Sequence, residues 1–134
     1  MILVDTSVWV ELLKGRTRWK ISEQNLLAFA TCGPVMQEVL QGLRIHPVSE
    51  AFRGAFLALP ILSNPLPKEL FLSAAEIFRS GRAKGYTIRS SIDCLIAAIA
   101  IENRVELWHK DRDYETIARY TNLRIASLAP LRPQ

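Results

Sequence analysis

The sequence predicts an α/β fold: three layers, with a short central parallel sheet covered by helices on both faces. Short apolar runs recur along the chain, stretches with helical spacing separate them, and Pro and Gly punctuate the borders. The chain has 134 residues, 49% of them hydrophobic and 22% charged. That length and balance suit one domain, residues 1 to 134, that buries its own core.

Each element has a local reason. Ile2, Leu3 and Val4 form a strand over residues 2 to 5, which ends at the charge of Asp5. Thr6 or Ser7 caps the helix that follows, which runs to about Lys14 and is closed by Gly15. The second strand covers Leu26 to Ala30. Gly33-Pro34 opens a helix to about Leu43, since proline is tolerated in a first turn, with Gly42 near its end. Phe52, Ala55, Phe56 and Leu59 recur at helical spacing between Pro47 and Pro60. Pro67 begins a longer helix that turns Leu70, Phe71, Ala74, Ile77 and Phe78 inward and stops near Gly85. Ser90 starts a helix through about Glu102, and Val105 to Trp108 is the third strand. Asp113 opens a helix to about Tyr120, and Leu123 to Ala126 is a last short strand.

Composition removes several function classes. Cys32 and Cys94 lack metal-ligand spacing, so neither a disulfide framework nor a zinc site is indicated, and a reducing cytoplasm is the expected compartment. The N-terminal run is too short for a secretory signal, and no stretch reaches the ~18 apolar residues of a membrane helix. There is no phosphate-binding Gly-rich loop, no GxSxG elbow and no HExxH helix. The formal net charge is +4, from 17 basic and 13 acidic residues. Arg79, Arg82, Lys84 and Arg89 fall in one stretch and Arg16, Arg18 and Lys20 in another. As a footprint for a polyanion they compete with the plainer reading of solvated surface.

Acids mark the ends of elements. Function in an open parallel sheet collects outside the carboxyl ends of its strands, where Asp5, Asp111 and Asp113 are expected. Two further acids sit among apolar neighbours: Glu38 in GPVMQEVLQG and Asp93 in SSIDCLIAAIA. A carboxylate in such surroundings must be paired, protonated or bound to a cation.

Each acid also has a structural reading. Asp5 suits a helix N-cap, and Ser90-x-x-Asp93 matches a capping box. Glu38 suits a solvated helix position. Asp113 fits the N-cap of the last helix, which leaves Asp111 without a structural duty and makes it the better ligand candidate. Taken together, carboxylates in one crevice repel, and a hard divalent cation with oxygen ligands relieves that repulsion. The chemistry that follows is phosphodiester hydrolysis by a metal-activated water.

The pieces MILVDTSVWVELLKG, PVMQEVLQG, IDCLIAAIA and LWHKDRDYETIA, in this order, resemble the PIN-domain ribonucleases of the VapC toxin type. The resemblance implies a PIN-like fold and a magnesium- or manganese-dependent endoribonuclease belonging to a toxin-antitoxin module. Its acidic quartet maps onto Asp5, Glu38, Asp93 and Asp111, with Asp113 auxiliary and Thr6 or Ser7 a polar neighbour that orients a ligand or water. It also implies an RNA substrate, for which Arg79, Arg82, Lys84 and Arg89 are the candidate contacts, a small cognate antitoxin and a homodimer. The alternative is a catalytically inactive PIN-like module that binds RNA or antitoxin. Two positions depart from the usual pattern: Tyr114 stands where phenylalanine is common, and His109 where threonine or serine is frequent.

Overall fold

The opening apolar run becomes strand β1 (Ile2–Val4), followed by helix α1 (Thr6–Leu13). This computed structural model describes residues 1–14, 23–43 and 47–126. Next come α2 (Glu23–Leu27), β2 (Phe29–Cys32), α3 (Gly33–Gln41), α4 (Pro47–Leu57) and β3 (Ile61–Leu62). The remaining elements are α5 (Lys68–Ala83), α6 (Ser91–Glu102), β4 (Glu106–Trp108) and α7 (Arg112–Ala118).

The strands pair in the order β3-β2-β1-β4, and every pairing is parallel. Ile2 faces Phe29 on one side and Glu106 on the other, so β1 is central. The chain steps outward from β1 through β2 to β3, then crosses to the other side for β4. The strand order therefore reverses between β1 and β4, where an open parallel sheet forms its crevice.

Helices cover both faces, giving the three-layer α/β/α arrangement. On one face the Trp9 ring of α1 meets Phe29, Phe52 and Phe56 with centroids 6.0, 5.9 and 5.2 Å away, and Trp108 joins the cluster through Phe29 at 5.7 Å. Helix α6 is apolar nearly all round, as a helix covered on all sides must be. Its residues from Asp93 to Ala100 are all buried, and it packs along α5 and against α3, α7 and β4. No helix among the described residues is long and apolar enough to cross a membrane.

Gly85 ends α5 at φ +84°. The Tyr86 N–H donates to Gly81 O and the Gly85 N–H to Arg82 O, a Schellman closure that needs a left-handed residue at this position. Gly81 is demanded by packing, because a Cβ there would run into the Tyr120 hydroxyl and ring.

Several expectations need correction. The second strand is Phe29–Cys32, and the residues up to Leu27 wind into α2 instead. Pro60 does not simply end a helix: its carbonyl accepts from Thr31 N at the edge of the sheet, where β3 begins. The strand expected at Leu123 to Ala126 is reduced to one parallel bridge between Leu107 and Ile125. Phe71, expected to face inward, is exposed, and so is Ala55 of the stripe at helical spacing, because their helices each bury a narrower stripe than a full amphipathic face. Gly15 and the basic group Arg16, Arg18 and Lys20 lie outside the described residues.

Candidate metal centre

The parallel strands bring their carboxyl ends to one edge. Asp5 follows β1 directly, its N–H donates to Trp108 O of β4, and it is buried. It is also the N-cap of α1: Oδ2 accepts from the Ser7 N–H at 3.0 Å and from the Ser7 hydroxyl. This corrects the expectation that Thr6 or Ser7 does the capping. Ser7 instead serves Asp5 and accepts from Lys110 N at 3.0 Å, which ties the start of α1 to the loop after β4. The capping duty leaves Oδ1 for the crevice, so cap and ligand are compatible roles for one carboxylate.

A second correction concerns the closing pair of acids. Asp111, expected to be without structural duty, is the N-cap of α7, and its Oδ1 accepts from Asp113 N at 2.9 Å. Asp113 is the residue that does not cap its own helix. Its Oδ2 accepts from Arg89 N at 3.0 Å and Ser90 N at 3.1 Å, so it closes the start of α6 from outside.

That explains why the box at Ser90-x-x-Asp93 is only half formed. The Ser90 hydroxyl accepts from Asp93 N at 3.3 Å, while Asp113 fills the place the Asp93 carboxylate would take at Ser90 N. The Asp93 side chain is thereby released into the crevice. Its Oδ1 lies 3.1 Å from the Tyr114 hydroxyl, and its Oδ2 is buried without a hydrogen-bond partner. Burial, then the charges of Asp111 and Asp5, push its carboxyl up to about 7.

One oxygen each from Asp93, Asp111 and Asp113 lie within 4.8 Å of one another. Asp5 joins this trio through Tyr114, whose hydroxyl is 2.8 Å from Asp5 Oδ1. Glu38 stands further out. Its neighbours Val35 and Val39 are buried, yet the glutamate itself is exposed, contrary to the expectation that it enters the core. Its Oε1 accepts from the Thr6 hydroxyl at 3.3 Å, and partial burial and the charge of Asp5 raise its pKa.

The donor set fits a hard divalent cation. It is all oxygen, it is crowded with like charge, and it contains a buried carboxylate oxygen with nothing to accept from, a costly state that a cation removes. The buried thiols of Cys32 and Cys94 are pushed up to about 12 and about 11, chiefly by burial, and so offer no thiolate at neutral pH.

A family model for the PIN domain matches residues 2–120. The chain belongs to the PIN-domain family. Ribonuclease VapC11 of Mycobacterium tuberculosis is 37% identical, with 95% of this chain and 98% of that relative covered, and a VapC ribonuclease of Mycobacterium bovis is similar to the same degree. Among solved structures, VapBC2 from Rickettsia felis bound to a promoter DNA fragment superposes with a TM-score of 0.71 at 21% identity, covering 94% of this chain and 98% of the other. VapBC-1 from nontypeable Haemophilus influenzae gives 0.67 at 17% identity, covering 96% and 99%. At those identities the structural likeness speaks for the PIN fold.

Around the PIN crevice the basic residues divide. Arg89 adjoins it through its backbone bond to Asp113. Arg79 borders a cavity of about 420 Å³ between α5 and α6, next to Ser91 and Cys94. Arg82 and Lys84 lie over the rings of Phe78 and Tyr120, at 5.7 and 5.2 Å from the centroids. All four are exposed. His109 is engaged in support: Nδ1 accepts from Asp111 N at 3.0 Å, and Nε2 approaches Glu115 at 3.2 Å, an ion-pair distance without the alignment of a hydrogen bond. The sequence marks Tyr114 only as a departure from phenylalanine. Its link to Asp5 spans 109 positions and has no local signal.

Proposed function

We propose that this chain is a divalent-metal-dependent endoribonuclease, the toxin half of a toxin-antitoxin pair. The observation that carries the reading is the crevice between β1 and β4, where Asp93, with a buried, unpartnered carboxylate oxygen, clusters with Asp111 and Asp113 and is joined to Asp5 through the Tyr114 hydroxyl. Similarity to VapC ribonucleases over nearly the whole chain supports the substrate class, and the antitoxin partner is what the sequence resemblance implies. In this reading Asp5, Asp93 and Asp111 hold the cation, magnesium or manganese, with Glu38 as an outer ligand and Asp113 as an auxiliary acid.

The division of labour follows from charge. The acids alone repel an RNA phosphate, so the crevice cannot receive its substrate uncompensated. A divalent cation held by Asp5, Asp93 and Asp111 would supply that compensation and would lower the pKa of a water for attack on phosphorus. Thr6 holds Glu38, and Ser7 holds Asp5 against the loop after β4, so the acids meet the substrate already oriented. Arg79, Arg82, Lys84 and Arg89 are the candidates to neutralise flanking phosphates. A homodimer is part of the same reading.

The test is cleavage of a structured RNA by purified protein with and without magnesium. We expect cutting with magnesium and none with chelator. The Asp5→Asn and Asp93→Asn variants should lose at least about a hundredfold in rate, beyond what loss of a supporting group costs. Asparagine retains the N-cap at position 5, so the fold survives that substitution. Variants that cut as fast as wild type would assign the activity to a contaminant and end the proposal.

A further inference from the structure

We infer that Tyr114 is a positioning residue of the carboxylate crevice: its hydroxyl spans Asp5 and Asp93 and holds the two acids in the arrangement that receives a divalent cation. The inference rests on the reading given under Proposed function and adds to it a residue outside the acidic set.

Tyr114 is fully buried at the start of α7, with its ring 5.1 Å from that of His109. A phenylalanine would fill the same space, so packing does not account for the hydroxyl. That hydroxyl lies 2.8 Å from Asp5 Oδ1 and 3.1 Å from Asp93 Oδ1. Buried phenols do take a partner, but one partner suffices for that, and this one stands between two acids from remote segments.

The two acids depend on it unequally. Asp5 is fixed independently, because Ser7 holds its other oxygen. For the Asp93 carboxylate, Tyr114 is the one hydrogen-bond partner among the described residues. An aspartate χ2 is otherwise broad, and the charges of Asp5 and Asp111 would drive this carboxylate out of position. One hydroxyl proton serves one carboxylate at a time. Placed between the two, it softens their repulsion while keeping both oxygens at a fixed spacing before the cation arrives. Groups that orient ligands in this way are typically worth about ten- to a hundredfold in metal affinity.

The test uses Tyr114→Phe, with manganese binding to the RNA-free protein measured by calorimetry. We expect affinity to fall by about ten- to a hundredfold. RNA cleavage by the variant should need correspondingly more manganese and approach the wild-type rate at saturation. The unfolding midpoint in chelator separates this from damage to the fold: a merely structural hydroxyl moves that midpoint and leaves the metal affinity alone. In the Asp93→Asn background the same substitution should change manganese binding little, because the acid it positions is gone. Wild-type affinity in Tyr114→Phe overturns the inference while leaving the nuclease reading intact. Failure of the wild-type protein to bind manganese overturns both, and binding without RNA cleavage overturns the nuclease reading alone.

Discussion

The aromatic cluster and the acid crevice share the same supports and obey opposite rules. Trp9 and Asp5 stand one helical turn apart at the start of α1, and Trp108 carries the strand whose next loop brings Asp111. Around Trp9 the rings meet edge to face, at interplanar angles of 88° with Phe29 and 85° with Phe56, an arrangement in which every neighbour attracts. Around Asp93 the neighbours are like charges, and burial strengthens their repulsion. One region stabilises the fold, and the other is held in place by it at a cost. The stability of the acid crevice thus resides in the layer behind it.

Truncating the cluster should give the largest effect. Trp9→Ala removes the hub of the rings and should lower unfolding free energy by about 3–5 kcal/mol, read from urea unfolding in chelator. A loss below about 1 kcal/mol would show that the cluster is not the support described.

Neutralising the crevice should act with the opposite sign and depend on pH. The Asp93 carboxyl, raised to about 7 against an ordinary value of 3.8, keeps its proton in the fold across a range where the unfolded chain has lost it. Metal-free wild type therefore loses stability through this group as pH rises from about 4 to about 7, and the loss levels off above that. Asp93→Asn should gain on wild type over the same range. If the gap between the two is flat from about pH 4 to about 7.5, the acid is not strained and the contrast fails.

The smallest expected effect lies at the rim. Replacing Arg79 and Arg89 together by glutamate should weaken RNA binding and reduce its salt dependence by about one unit of slope for each phosphate left without its cation. Binding measured at several salt concentrations checks this, and an unchanged slope returns both arginines to ordinary surface.

Much of this is legible in the sequence, and the failures have physical reasons. The apolar run closed by Asp5 locates β1, since a strand buried on both faces carries no polar alternation to obscure it, and the run from Val105 to Trp108 locates β4 even though Glu106 interrupts it. The run from Leu26 to Cys32 misleads because periodicity cannot divide a short continuous apolar stretch between helix and strand. Strand β3 has two residues, too few to leave a pattern. The acids stand out, but their capping duties are exchanged. Asp5, Thr6 and Ser7 are all competent caps, as are Asp111 and Asp113, and local propensity cannot rank neighbours that tertiary contacts sort. Glu38 misleads for a related reason: apolar flanks describe the face beside it, and the glutamate points away from that face.

The pairing of β1 with β4 has a consequence for the order of events during synthesis. The first strand leaves the ribosome early, yet the partner on one of its edges begins at Glu106, and Asp5 meets Tyr114 across 109 positions. Contacts that distant in sequence form late and slowly. A nascent chain that stops before β4 holds Asp5, Glu38 and Asp93 but neither Asp111, Tyr114 nor the loop that Ser7 grips, so the acids lack the contacts that assemble them. In the reading proposed above this is a safeguard by topology: the growing polypeptide lacks the assembled acids with which it would cut the message from which it is being read.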